Sequence, residues 1–89
     1  MAKRKKKRVK FHFSAPQAQR VCVCGDFNDW NTADLEMKLV SGGKFEIELD
    51  LEAGSHEYKY FVDGVWFNDP AAQQVPNVWG SENSVIRVE

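Results

Sequence analysis

Three tryptophans and one lysine are the residues of this chain best suited to hold a ligand: Trp30, Trp66, Trp79 and Lys59. A flat indole offers its face to the axial hydrogens of a pyranose ring. The hydroxyl rim of the same sugar needs donors and acceptors, such as a lysine ammonium or a carboxamide. The chemistry these residues predict is therefore non-covalent recognition of sugar. Trp30 stands in Asp29-Trp30-Asn31 and Trp79 in Val78-Trp79-Gly80-Ser81-Glu82-Asn83. Such polar, loop-like stretches do not usually bury a large aromatic, and exposed aromatics in groups mark binding surfaces. Each loop tryptophan has an alternative role, as an apolar plug at one end of the domain.

Covalent chemistry has less support. Glycoside hydrolysis needs two carboxylates held across a cleft, one of them with its pKa raised by burial. Here Glu46, Glu48 and Asp50 alternate with apolar residues and read as a solvated strand face. His12 and His56 have no nucleophile placed beside them, so the expectation is a non-catalytic protein without a cofactor. Cys22 and Cys24, at i and i+2 of a strand, point to one face with Cα atoms roughly 6.5 Å apart, the outer limit for a disulfide. Both are expected to be free, buried thiols. Together with His12 and His56 they lack the loop spacing of a zinc site, so no metal centre is expected.

The elements that must position these side chains read as strands. Val9, Phe11 and Phe13 alternate with Lys10 and His12 until Ser14-Ala15-Pro16 breaks the run. A second strand covers about residues 20–24, with Val21 and Val23 toward the core, and Gly25 opens the polar loop Gly-Asp-Phe-Asn-Asp-Trp-Asn. Leu35, Met37 and Leu39 predict a short strand ending at Ser41-Gly42-Gly43. Phe45, Ile47, Leu49 and Leu51 predict a half-buried strand whose other face is acidic. A last strand is expected over about residues 84–88.

The hairpin around Asp63-Gly64 can be resolved further. Asp-Gly between two β-rich runs signals a two-residue turn, which fixes the residues that face each other. Val62 then opposes Val65, Phe61 opposes Trp66, Tyr60 opposes Phe67 and Lys59 opposes Asn68. Tyr58, Tyr60, Val62, Val65 and Phe67 fall on one face, expected to be core, and Lys59, Phe61, Trp66 and Asn68 on the other. The second set suits a sugar; its alternative is a small second core under a terminal segment.

Eighty-nine residues allow one domain with one core. Short strands, glycine turns and no helical periodicity predict an all-β, immunoglobulin-like antiparallel β-sandwich. Seven of the 12 Lys and Arg lie within residues 1–10 and all 13 acids lie beyond them, so the remainder carries five cations against 13 acids, a net −8. Residues 1–8 read as a flexible basic tail and residues 9–89 as the module. The acidic body argues against specific nucleic-acid binding, leaving only the tail to attract phosphate. No apolar run could span a membrane and no secretory signal is legible, so a cytoplasmic location is expected.

Taken in order, Gly25-Asp26-Phe27-Asn28-Asp29-Trp30, Tyr58-Lys59-Tyr60-Phe61-Val62-Asp63-Gly64-Val65-Trp66, Asn68-Asp69-Pro70 and Trp79-Gly80-Ser81-Glu82-Asn83-Ser84 give the chain a family likeness. From about residue 10 to its C-terminus it resembles the family 48 carbohydrate-binding modules. These include the glycogen-binding domain of the AMP-activated protein kinase β-subunit and the N-terminal modules of branching enzymes and isoamylases. The resemblance implies an early-set sandwich that binds α-1,4-linked glucan (glycogen, starch or maltooligosaccharides) without catalysis. It also implies that Trp30 and Trp66 are paired stacking platforms, that Lys59 bonds hydroxyls between them, and that Asn83 is an amide contacting the next sugar. Glycogen-binding members usually carry leucine where this chain has Trp79, so Trp79 is either a third platform or a structural change in its loop. The rival role is a protein-interaction module that regulates or localises a kinase or a glucan-metabolising enzyme, which need not exclude sugar binding.

Overall fold

A computed structural model describes residues 6–89. It contains β1 (Lys6–Ser14), β2 (Val21–Gly25), β3 (Lys38–Ser41), β4 (Lys44–Glu52), β5 (Gly54–Val62), β6 (Val65–Phe67), β7 (Gln73–Pro76) and β8 (Glu82–Val88). All pairings are antiparallel. One sheet runs β1-β4-β3 and the other β2-β5-β8-β7, with β6 also on β5. The all-β sandwich expected from the periodicity is the fold.

Period-two alternation decides which side chains meet between the sheets. Phe11, Phe45 and Leu51 come from the first sheet, and Val21, Val23, Tyr58, Tyr60, Val62 and Val88 from the second; all are buried. Phe11 meets Tyr58 edge to face at 5.0 Å between ring centroids, and Phe13 lies 4.7 Å from Tyr60. Side chains of this size stabilise by about 1.5–3 kcal/mol each when fully buried. The two phenols need polar partners, and Asp69 supplies them: its Oδ2 accepts from Tyr58 at 2.7 Å and from Tyr60 at 3.2 Å. Burial above all, with the Asp69 carboxylate adding to it, pushes both phenols above their ordinary range.

Six features differ from the sequence expectation. β1 begins at Lys6 rather than Val9, because Lys6, Lys7 and Arg8 pair with Glu52, Leu51 and Asp50 of β4. Residues 6–8 of the expected tail thus lie in β1, and residues 1–5 lie outside the described residues. The acidic face of β4 is not merely solvated. Arg8 reaches Glu48 at 3.8 Å and Asp50 at 3.4 Å, and Lys10 reaches Glu46 at 3.9 Å.

The stretch around Leu35 to Leu39 is divided between the sheets. Val23 N–H donates to Leu35 O and Met37 N–H to Val21 O, tying it to β2, whereas Lys38 and Leu39 pair with Glu46 and Phe45 of β4. Finally, Val65 and Phe67 do not join the core. They are 54% and 44% exposed because β6 is a three-residue edge strand that, among the described residues, pairs with β5 alone. The same short ladder ends at Tyr60↔Phe67, so the expected Lys59–Asn68 pair does not form. β7, which no alternation signalled, adds a fourth strand beyond β8.

Candidate carbohydrate-binding site

The outward face of the five-stranded sheet carries Glu57, Lys59 and Phe61 at alternate positions of β5, with Trp66 opposite Phe61. Gly64 and Asp63 both adopt positive φ, 85° and 47°, as the two-residue turn requires. Asp63 is held in that conformation: its carboxylate accepts from Arg20 N at 2.9 Å and from Gln19 N at 3.1 Å. The hairpin that presents Trp66 is thus fastened to the start of β2, a role the sequence did not reveal. Phe61 lies 4.8 Å from Trp66, backing an indole that remains 43% exposed.

Trp30 arrives from the loop that follows Gly25. A Cβ at Gly25 would come within 2.5 Å of Glu57 O and 2.6 Å of the Phe27 ring, so only glycine lets the loop leave here. Asn28 then organises it. Its Oδ1 accepts from Gly25 N at 2.9 Å, and its Nδ2 donates to Asn31 O and to Asp34 Oδ1. Asp29 and Trp30 have φ of 54° and 58°. Left-handed geometry costs roughly 1–2 kcal/mol for a residue of this kind, and strain of this sort gathers at functional sites. It turns the Trp30 indole to within 6.4 Å of Trp66, with the planes at 68°.

The third wall is the loop of residues 77–81, between β7 and β8. Asn77 closes it: Asn77 Oδ1 accepts from Trp79 N at 2.9 Å and Ser81 N at 3.1 Å, and Asn77 N–H donates to Ser81 O. Trp79 at its tip is 87% exposed.

Between these walls lies a groove of about 950 Å³, lined among others by Trp30, Lys59, Trp66, Trp79 and Asn83. All five residues singled out in the sequence therefore meet in one place. Asn68 does not line it. Asn83 is buried, 8% exposed, and its amide is engaged at both ends: Nδ2 donates to Glu57 Oε1 at 3.0 Å, and Oδ1 accepts from Asn77 Nδ2 at 2.9 Å. The Lys59 side chain has no hydrogen bond or ion pair among the described residues, so its ammonium lines the groove uncommitted. Sequence reasoning missed Asp26, Glu57 and Asn77, which line the same groove. Alternation on β5 would have placed Glu57 beside Lys59, but no sequence signal marks Asn77.

Beside Lys59 and Phe61 on the same face, across the β2–β5 ladder, stand Cys24 and Cys22. Both are buried free thiols. Desolvation, with the neighbouring Cys22 and Asp34 adding to it, pushes the Cys24 thiol up to about 11, and burial raises Cys22 too. Neither is a nucleophile at neutral pH. His56 is structural in its setting, with Nδ1 3.2 Å from Asp26 Oδ1 and Nε2 2.8 Å from Glu52 O.

Residues 7–89 match the family described as the glycogen recognition site of AMP-activated protein kinase. Over 71 residues, 80% of this chain, it is 39% identical to 5'-AMP-activated protein kinase subunit beta-1 of Bos taurus and to subunit beta-2 of Mus musculus. It is 38% identical over the same length to subunit beta-1 of Homo sapiens. The chain spans about a quarter of the length of these relatives. It belongs to the family of the glycogen recognition site of AMP-activated protein kinase.

Proposed function

We propose that this chain is a non-catalytic module that binds α-1,4-linked glucan such as glycogen in the groove between Trp30, Trp66 and Trp79. The observation that carries the reading is the convergence of two inclined indoles and an unpaired Lys59 on one groove. Successive glucose rings of an α-1,4 chain turn relative to one another, so platforms set at 68° suit neighbouring rings better than coplanar ones would. Lys59 donates to hydroxyls between them, and Asn83 offers the one amide hydrogen not given to Glu57. Trp79 stacks on a further ring. Membership of a glycogen-recognition family supports the ligand class.

The relatives are named as kinase subunits, which favours a second, compatible reading: the module localises a kinase assembly on its polysaccharide. Co-sedimentation with glycogen tests the first. The native chain should pellet with the polymer, and Trp66→Ala should remain in the supernatant with an unchanged sheet circular-dichroism spectrum. Undiminished pelleting of a folded Trp66→Ala would refute stacking.

A further inference from the structure

We infer that Glu57 is a positioning residue, which sets the Trp79 loop through Asn83 and Asn77; the inference deepens the glucan reading and rests on it for its ligand. Glu57 occupies the middle of β5, where its backbone also grips the root of the Trp30 loop. Glu57 N donates to Asp26 Oδ2 at 3.0 Å, and Glu57 O accepts from Asp26 N at 3.0 Å. Its carboxylate accepts from Asn83 Nδ2 of β8, whose Oδ1 in turn holds Asn77 at the base of the loop that carries Trp79. One residue thereby joins both aromatic loops.

The direction of every bond in the relay is fixed by chemistry. The backbone N–H groups of Trp79 and Ser81 can only donate, so the Asn77 group facing them is its oxygen, at 2.9 and 3.1 Å. Asn77 Nδ2 must then face Asn83 and Ser81, and it does so at 2.9 Å from Asn83 Oδ1 and 2.9 Å from Ser81 Oγ. The Asn83 oxygen is thereby committed, which leaves its Nδ2 toward Glu57 Oε1 at 3.0 Å. The chain must end on an acceptor, and Glu57 supplies it. Because Asn83 is buried, removing that acceptor orphans an amide hydrogen that water does not readily reach.

Trp79 depends on this relay more than its counterparts depend on theirs. Trp30 and Trp66 hold each other, and Phe61 backs Trp66. Trp79 has no ring partner among the described residues and is 87% exposed, so its place over the groove is set by its backbone bond to Asn77. The relay thus fixes the distance between the Trp30–Trp66 corner and the third wall, and with it the length of glucan that gains from Trp79.

Two measurements on Glu57→Ala, Glu57→Gln and Asn77→Ala test this. The first needs no sugar: with Trp30 and Trp66 replaced by Phe, time-resolved anisotropy reports Trp79 alone. Glu57→Ala and Asn77→Ala should lose most of the residual anisotropy, and Glu57→Gln, whose Oε1 still accepts, should keep it. Unchanged anisotropy in folded Glu57→Ala or Asn77→Ala overturns the inference. Asn77, in an exposed loop, carries the test if Glu57→Ala does not fold.

The second uses all three tryptophans and compares maltotriose with maltoheptaose. The advantage of the longer chain should shrink about three- to tenfold in Glu57→Ala and Asn77→Ala, as in Trp79→Ala, and persist in Glu57→Gln. Retention of the native advantage in Asn77→Ala alongside its loss in Trp79→Ala overturns the relay. If the native chain binds neither sugar, the glucan reading fails, while the anisotropy still decides the relay.

Discussion

Trp30 and Trp66 meet edge to face, their ring centroids 6.4 Å apart, although one rides on a loop after β2 and the other on the edge strand β6. What brings them together is different on each side. Trp66 is placed by strand register and backed by Phe61, whereas Trp30 is placed by a left-handed backbone that Asn28 holds. That difference gives each side its own mutational signature.

Phe61→Ala should weaken glucan binding without Phe61 touching sugar. Loss of the ring 4.8 Å behind Trp66 lets the indole tilt, and such aromatic pairs contribute about 0.5–1.5 kcal/mol. Titration of maltoheptaose by tryptophan fluorescence should show a several-fold weaker constant, with Phe61→Leu intermediate. A native constant in Phe61→Ala would remove Phe61 from the site.

Asn28→Ala should release the Trp30 loop. It removes the acceptor for Gly25 N and the donor to Asp34, at 2.9 and 2.8 Å, and takes away the local support for the left-handed pair Asp29-Trp30. A stability loss of about 1–2 kcal/mol in urea unfolding is expected, together with weaker glucan binding. Loss of stability with native affinity would show that Trp30 does not need this loop geometry.

Removal of residues 1–8 should lower stability and leave glucan affinity unaltered. The truncation deletes three cross-strand pairs of β1 and the Arg8 bridges to Glu48 and Asp50, which are exposed and therefore worth little individually. A loss of about 1 kcal/mol, or roughly 4–8 °C in Tm, is expected by calorimetry. Affinity should not follow, because a neutral sugar gains little from distant charge.

Alkaline pH should destabilise the domain first through its two buried thiols, Cys24 and Cys22. The Cys24 thiol titrates at 9.0 when unfolded and at about 11 when folded, so its protonated form stabilises the fold fully below pH 9. Between pH 9 and about 11 the unfolded chain loses the proton first, and stability falls by about 1.4 kcal/mol per pH unit for this group. Tyr58 and Tyr60, both raised, add to the fall above pH 10. Urea midpoints measured from pH 8 to 10.5 should decline, and less steeply in Cys24→Ala. A flat profile would show that Cys24 is not desolvated.

The sequence by itself determined the alternating strands, the sandwich and the face shared by Lys59, Phe61 and Trp66. A two-residue turn at Asp63-Gly64 admits one register, and period two does the rest. Tertiary structure alone decided what depends on partners distant in the chain. Lys6, Lys7 and Arg8 extend β1 because Glu52, Leu51 and Asp50 of β4 lie opposite them, and Val65 and Phe67 stay exposed because, among the described residues, β6 pairs with β5 alone. Trp30 and Trp79 reach the groove because Asn28 and Asn77 satisfy loop amides. The Asn77 loop is in turn tied to β5 through Asn83 and Glu57, 26 positions apart in the chain. Local propensity fixes which face a strand residue takes, but the position of a loop residue is fixed by where its hydrogen bonds find partners, and that is known only once the sheets are assembled.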